Sequence, residues 1–191
     1  MKKILFSAVT LLFSVLAYAQ PSIGIKGGLN LANMSGDELV DNSIRPSFHL
    51  GAYATFNFGD KLGFQPEILY NSVGTKYSDP DEGDVNFVLN YISIPLMLNF
   101  NVNDMIALQA GPQFSLLSSA EVKFDGGSID FKDFLKGNDL GLNFGAMLNF
   151  GKLNATARYC LGLSNIDDTG SGDLKNGVIQ VSLGYRLFGG E

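Results

Sequence analysis

His49 is the only histidine of this 191-residue chain, and Ser47 stands two residues before it in the same phase of an alternating stretch. That pair offers a general base beside a hydroxyl, the minimum for a hydrolase or acyltransferase acting on a lipid. The ordinary reading of a lone histidine at a strand end is a hydrogen-bonded filler, and no catalytic residue is assigned. Asp168-Thr169-Gly170-Ser171 has the form of an aspartic-protease tetrapeptide. A second such aspartate, which that chemistry requires, is missing from the sequence. Asp79, Asp81, Glu82 and Asp84 crowd carboxylates suited to a hard cation, but their spacing falls short of a calcium loop, and solvated loop charge is the default. Cys160, the single cysteine, cannot form an internal disulfide. No cofactor is implied.

Four further charges stand out because they interrupt the polar phase of alternating stretches: Lys26, Glu67, Arg158 and Arg186. Inward-facing ions are costly unless paired. Glu67 is therefore predicted to be an ionic hub for at least one of the three cations.

The elements that would hold these residues are strands. In the last stretch Ile179, Val181, Leu183, Tyr185 and Leu187 occupy one phase and Gln180, Ser182, Gly184 and Arg186 the other. A period of two is a strand with one apolar face. The pattern predicts eight strands, at 23–31, 48–58, 62–71, 90–100, 106–116, 140–150, 153–161 and 178–187, lengths that suit tilted crossings of a bilayer. Connections at 59–61, 101–105 and 151–152 are short, whereas 32–47, 72–89, 117–139 and 162–177 are long. The long ones include glycine-rich and acidic stretches of the kind found in mobile loops. Short periplasmic turns alternating with long extracellular loops are the habit of outer-membrane barrels, and both termini then fall on the periplasmic side.

Residue type decides which face is outside. Gly141, Asn143, Gly145 and Asn149, or Gln109, Gly111, Gln113 and Ser115, are short neutral groups fit for a narrow interior, while Leu140, Leu142, Phe144, Leu148 and Phe150 make a lipid-facing set. A soluble lipocalin-like carrier would invert this arrangement. Phe58, Phe64, Phe100 and Phe150 mark one end of the strands and Phe48, Tyr70, Phe114 and Tyr159 the other, as interfacial girdles do.

Residues 1–19 read as a secretory signal peptide: Lys2 and Lys3, an apolar run, and Ala17-Tyr18-Ala19 before the cut. Residues 20–191 then form one barrel domain. Formal charge is −6, and the four long connections carry fifteen of the nineteen acids against six bases. Such a rim repels polyanions and leaves nucleic-acid binding unsupported.

Gly24-Ile25-Lys26-Gly27-Gly28-Leu29-Asn30-Leu31-Ala32-Asn33 resembles the opening of the PorT-like outer-membrane β-barrel proteins of Bacteroidetes-type bacteria. Similar likenesses are carried by Phe64-Gln65-Pro66-Glu67-Ile68-Leu69-Tyr70, Tyr91-Ile92-Ser93-Ile94-Pro95-Leu96-Met97-Leu98, Gly111-Pro112-Gln113 and Leu183-Gly184-Tyr185-Arg186-Leu187-Phe188. The resemblance implies an all-β, eight-stranded antiparallel up-and-down transmembrane barrel, delivered to the outer membrane by the barrel-assembly machinery. It implies no catalytic motif and puts weight on Lys26, Glu67 and Arg186. The namesake member belongs to type IX secretion and gliding. The expected role is structural or interaction-based: membrane integrity, adhesion, docking, or support of a secretion assembly. The expected partners are outer-membrane lipid and lipopolysaccharide, with an envelope protein as a further one and the chain itself a monomer. A lipid-modifying enzyme using His49 is the main alternative and a soluble carrier the second.

Overall fold

The computed structural model describes residues 21–36, 43–79, 83–170 and 172–189. The signal-peptide reading and the 80–82 tip of the acidic 79–84 stretch fall outside them. Strands follow one another as β1 (Ser22–Gly36), β2 (Arg45–Phe58), β3 (Leu62–Asp79), β4 (Gly83–Asn101), β5 (Ile106–Phe124), β6 (Gly127–Asp130), β7 (Asn138–Phe150), β8 (Leu153–Gly162) and β9 (Leu174–Phe188), with a 3-10 turn at Lys132–Phe134. Each of the eight long strands pairs antiparallel with its neighbours, β9 pairs back on β1, and β4 with β5, so the sheet closes on itself as an eight-stranded barrel. Closure leaves no open ladder edge within the ring. The ninth strand, β6, is a four-residue ribbon on the far end of β5.

Most strands run further than the alternation foretells, β3, β4 and β5 by the most. β3 continues to Asp79 and β4 begins at Gly83, so most of the connection expected over 72–89 is a hairpin projecting beyond the ring. β5 likewise runs to Phe124 and turns back into β6. Polar residues on both faces of these extensions hid the period of two. The three short turns lie where expected. Gly59 and Gly151 supply positive φ in two of them, a conformation glycine adopts without strain.

The faces sort by chemistry. Ile25, Leu29, Leu50, Ile68, Leu98, Phe144, Val181 and Leu183 point outward and are exposed, Leu183 at 68%. Lys26, Asn30, His49, Glu67, Gln109, Asn143, Arg158 and Gln180 point inward and are buried. Phe48 and Phe58, both exposed, lie ten residues apart on β2. At about 3.3 Å per residue and a tilt near 40°, that separation projects to roughly 25 Å, the height of an outer-membrane apolar band. Phe48 packs on Tyr70 at 5.9 Å and Phe144 on Tyr159 at 5.6 Å, forming aromatic pairs on the outer wall.

Beyond Tyr70, Ile92 and Leu116 the sides exchange character. Inward residues become Ala32, Met34, Val73, Leu89, Tyr91, Leu117, Ala120 and Val178, and Leu135 and Ile166 join them from outside the strands to make an apolar core. The segment carrying Leu135 is tied down by Phe131 N–H to Ala120 O and Lys136 N–H to Ile166 O at 3.1 and 2.8 Å. Parts of two stretches read from sequence as loops therefore form a packed cap.

Candidate functional site

The barrel interior is built in levels. At the level of β1 Lys26, the Glu67 carboxylate on β3 meets Arg158 on β8 through two hydrogen bonds, Nη1 to Oε2 at 3.0 Å and Nη2 to Oε1 at 2.9 Å. Lys26 Nζ donates to the same carboxylate at 3.2 and 3.3 Å. Gln65 Nε2 reaches Glu67 Oε1 at 2.8 Å, and Arg158 Nη2 also donates to Gln109 Oε1 at 3.1 Å. The three ions are each 3% exposed. One anion thus serves two cations. Fork-to-carboxylate geometry and extra amide partners are what a buried ion needs to offset its lost hydration.

Gly145 lies opposite Arg158 across the β7–β8 ladder, and a Cβ there would come within 2.2 Å of Ala157 O. Glycine there lets β7 and β8 approach closely beside the point where the Arg158 side chain leaves its strand.

Arg186 was expected in the same cluster, and the structure corrects this. It is half-buried at the short-turn end, and its backbone N–H bonds to Lys152 O at 2.8 Å. No ion pair joins it to Glu67 among the described residues. Its neighbour Gly184 pairs with Lys26, so Arg186 sits two residues nearer the turns. Tyr53 lies across Gly24 at the intervening level and accepts a hydrogen bond on its hydroxyl from Asn154 at 2.9 Å. A phase assignment places a residue on a face but not at a height.

The next level toward the long-loop end holds His49, which is 2% exposed. His49 Nδ1 contacts Asn30 Oδ1 and Nε2 contacts Ser182 Oγ, both at 2.7 Å. The amide oxygen can only accept, so Nδ1 carries the proton and the Ser182 hydroxyl donates to Nε2. Ser47, the predicted hydroxyl partner, instead donates to Ser72 O at 2.7 Å. A Ser–His–Asn relay has the polarity of a nucleophile activator, but here it faces the packed interior, away from lipid. Gln180 Nε2 ties Asn30 and Asn71 together at 3.0 Å each.

Sequence reasoning named the ions and missed the amides Gln65, Gln109, Asn30, Asn71 and Gln180. Their inward phase was the available signal. Cys160 faces inward and is buried. Asp84 pairs with Lys76 at 2.7 Å, and among the described residues no group of three metal-ligating side chains assembles. Asp81 and Glu82 lie outside the described residues, as does the side chain of Asp79.

At the short-turn end the interior opens into a cavity of about 440 Å³ whose floor includes Gln65 and Asn99. At the other end Asp139 accepts from Ser164 Oγ at 2.7 Å and from Asn176 Nδ2 at 2.9 Å, beneath the apolar cap.

An apolar outer band, a closed antiparallel ring and a hydrogen-bonded polar interior define a transmembrane β-barrel. The sequence from residue 18 to 168 matches the outer membrane protein beta-barrel domain, and the chain belongs to that family. The final strand lies beyond the matched residues, and its pairing with β1 and β8 completes the ring. Among solved structures, Ail, the attachment invasion locus protein of Yersinia pestis, is similar with a TM-score of 0.56 at 18% identity, over 88% of this chain and 99% of Ail. Neisserial surface protein A is similar with a TM-score of 0.59 at 14% identity, over 86% of this chain and 97% of that protein. At such identities the likeness is one of fold. No curated protein matches the sequence. The protein is an outer-membrane protein, which sets aside the soluble-carrier alternative.

Proposed function

We propose that the barrel is a closed, membrane-anchored scaffold with a structural or interaction role, and that its outer end is the working surface. The observation that carries this reading is the Lys26–Glu67–Arg158–Gln109 cross-link, which joins β1, β3, β8 and β5 across an interior only as wide as eight strands allow. A chain of buried, mutually hydrogen-bonded side chains at that level plugs the lumen and passes no solute. Outer-membrane lipid and lipopolysaccharide surround the wall, the barrel-assembly machinery inserts it, and it works as a monomer.

The cap and the hairpin extension support docking or adhesion to an envelope or surface partner. Ail was crystallised with the heparin analogue sucrose octasulfate. The excess of fifteen acids over six bases in this chain's long connections disfavours such a polysulfate and favours a cationic surface. Membership of the PorT-like branch, with support of a type IX-like secretion assembly, is the finer form of the proposal. It rests on the motif resemblance. Metal bridging through Asp79, Asp81, Glu82 and Asp84 rests on the sequence alone, and the one described side chain of the four, Asp84, pairs with Lys76.

Proteoliposome swelling tests the plug. Vesicles containing the refolded protein are expected to swell in small sugars no faster than empty ones, and faster swelling would overturn the reading. The enzymatic alternative has one observation in its favour, the Ser182–His49–Asn30 relay. Its burial argues for a structural part. Cells carrying His49→Ala should show an unchanged lipid A profile, and an altered one would restore the enzyme.

A further inference from the structure

The cavity at the short-turn end is lined by charges that the ionic cluster above it does not use. Lys152 and Arg186 share one arc of the mouth, joined through the Arg186 N–H to Lys152 O bond. Asp60, in the β2–β3 turn, and Asp104, in the β4–β5 turn, line another arc. Neither set forms an ion pair among the described residues. In the ring order β2, β3, β4, β5, β7, β8, β9, β1, Asp60 and Asp104 occupy the β2–β3 and β4–β5 turns, and Lys152 and Arg186 follow in the β7–β8 turn and on β9, so the acids fall in one half of the ring and the cations in the other. The mouth is therefore electrically polarised across its width. Between the two arcs stand carboxamides, and the side-chain amides of Asn57 and Asn149 among them hold no hydrogen bond with another described residue. Below them Asn99 and Gln65 close the floor, held by Gln109 Nε2 to Asn99 Oδ1 and Gln65 Nε2 to Glu67 Oε1, both at 2.8 Å.

A volume of about 440 Å³ falls within the 300–1,000 Å³ typical of small-molecule sites. Its chemistry narrows the occupant. A phosphate or sulfate site gathers cations and keeps carboxylates away, whereas Asp60 and Asp104 share this mouth. A sugar site offers an aromatic face, but the one aromatic in the lining, Tyr53, is 6% exposed and its hydroxyl is taken by Asn154. What remains is a zwitterion whose middle is made of amides. We infer that the periplasmic mouth of this barrel binds a short peptide with free ends, its carboxylate held by Lys152 and Arg186, its ammonium by Asp60 and Asp104, and its peptide groups by the asparagine carboxamides. A carboxamide donates and accepts side by side, as a peptide group does, so each can pair with the other. The site goes beyond the proposed role of the outer end and does not depend on it.

Two periplasmic sources carry this chemistry, soluble peptides and stem peptides released from the cell wall. The full mature chain, refolded in lipid nanodiscs, would be titrated calorimetrically with four probes: tri-alanine, its carboxyl amide, its N-acetyl derivative and the wall-type tripeptide L-Ala-D-Glu-diaminopimelate. Tri-alanine should bind better than either blocked form by about tenfold or more. Arg186→Gln should weaken tri-alanine by a similar factor and leave the amide unchanged, and Asp104→Asn should do the same relative to the N-acetyl probe. Lys152→Gln, in a solvent-exposed turn, repeats the cation test without touching the barrel wall. Equal binding of tri-alanine and the wall tripeptide assigns the site to soluble peptides. Tenfold tighter binding of the wall tripeptide assigns it to the wall. No heat from any probe at millimolar concentration, or equal losses for free and blocked peptides in the variants, would overturn the site.

Discussion

Ser93 and Leu89 lie four residues apart on the inward row of β4, yet their surroundings are opposite. Ser93 shares a hydrogen bond of 2.9 Å with Ser115 and accepts one from Asn71, while Ile92 and Ile94 beside it face outward and are exposed. Leu89 is fully buried among Val73, Leu117 and Ala120, and outward-lying Asn90 bonds to Ser119 Oγ at 3.0 Å. The same strand continues past Tyr91, with a register shift against β5 between Asn90 and Tyr91. The medium differs: hydrocarbon outside the first level rewards apolar outward groups and leaves the narrow lumen to satisfied polar ones. Water outside the second level restores the usual order, with apolar groups within. One continuous wall thus holds an inverted core and an ordinary one, and the border between them is the outer edge of the lipid.

Glu67→Gln should break the inverted core most severely. It leaves Lys26 and Arg158 buried without their anion, at a cost of about 3–5 kcal/mol, read by urea unfolding in lipid vesicles. An unchanged unfolding free energy would mean the cluster is not an ionic hub. Leu89→Ala attacks the ordinary core and should cost about 3 kcal/mol, with amide exchange accelerated in β6 and the 131–136 segment before the membrane strands respond. If every strand responds together, the two cores are one cooperative unit.

Leu183→Arg, on the lipid face, should cost about 2–4 kcal/mol near the bilayer midplane. Gln180→Ser cuts the inner face instead. Its amide joins Asn30 to Asn71 while 1% exposed, and losing it removes two buried hydrogen bonds at a cost of about 1–3 kcal/mol. The same unfolding assay checks both. Ile129→Arg places the same new charge on an exposed apolar residue of β6. In water it should change stability by less than about 0.5 kcal/mol. A cost like that of Leu183→Arg would move the lipid border past β6.

Alternation alone placed Lys26, Glu67 and Arg158 on the inner face and Leu183 on the outer one, because side-chain direction along a strand is a local property of the backbone. Hence the antiparallel barrel, its face polarity and its short turns were legible from residue order. The projecting hairpin was not, since Ser78, Asp79 and Asp84 read as loop chemistry and only pairing with β4 makes that stretch a strand. The cap was equally hidden: Leu135 and Ile166 stand in irregular segments, and their burial depends on what folds beneath them. Which inward ions meet was likewise left open. Arg186 shares the phase of Glu67 but sits a level lower, with Tyr53 between, because the stagger of strands around a closed ring sets height. Phase comes from the chain one residue at a time. Height, partner and cavity come only when distant strands close into a ring, which makes them properties of the tertiary structure.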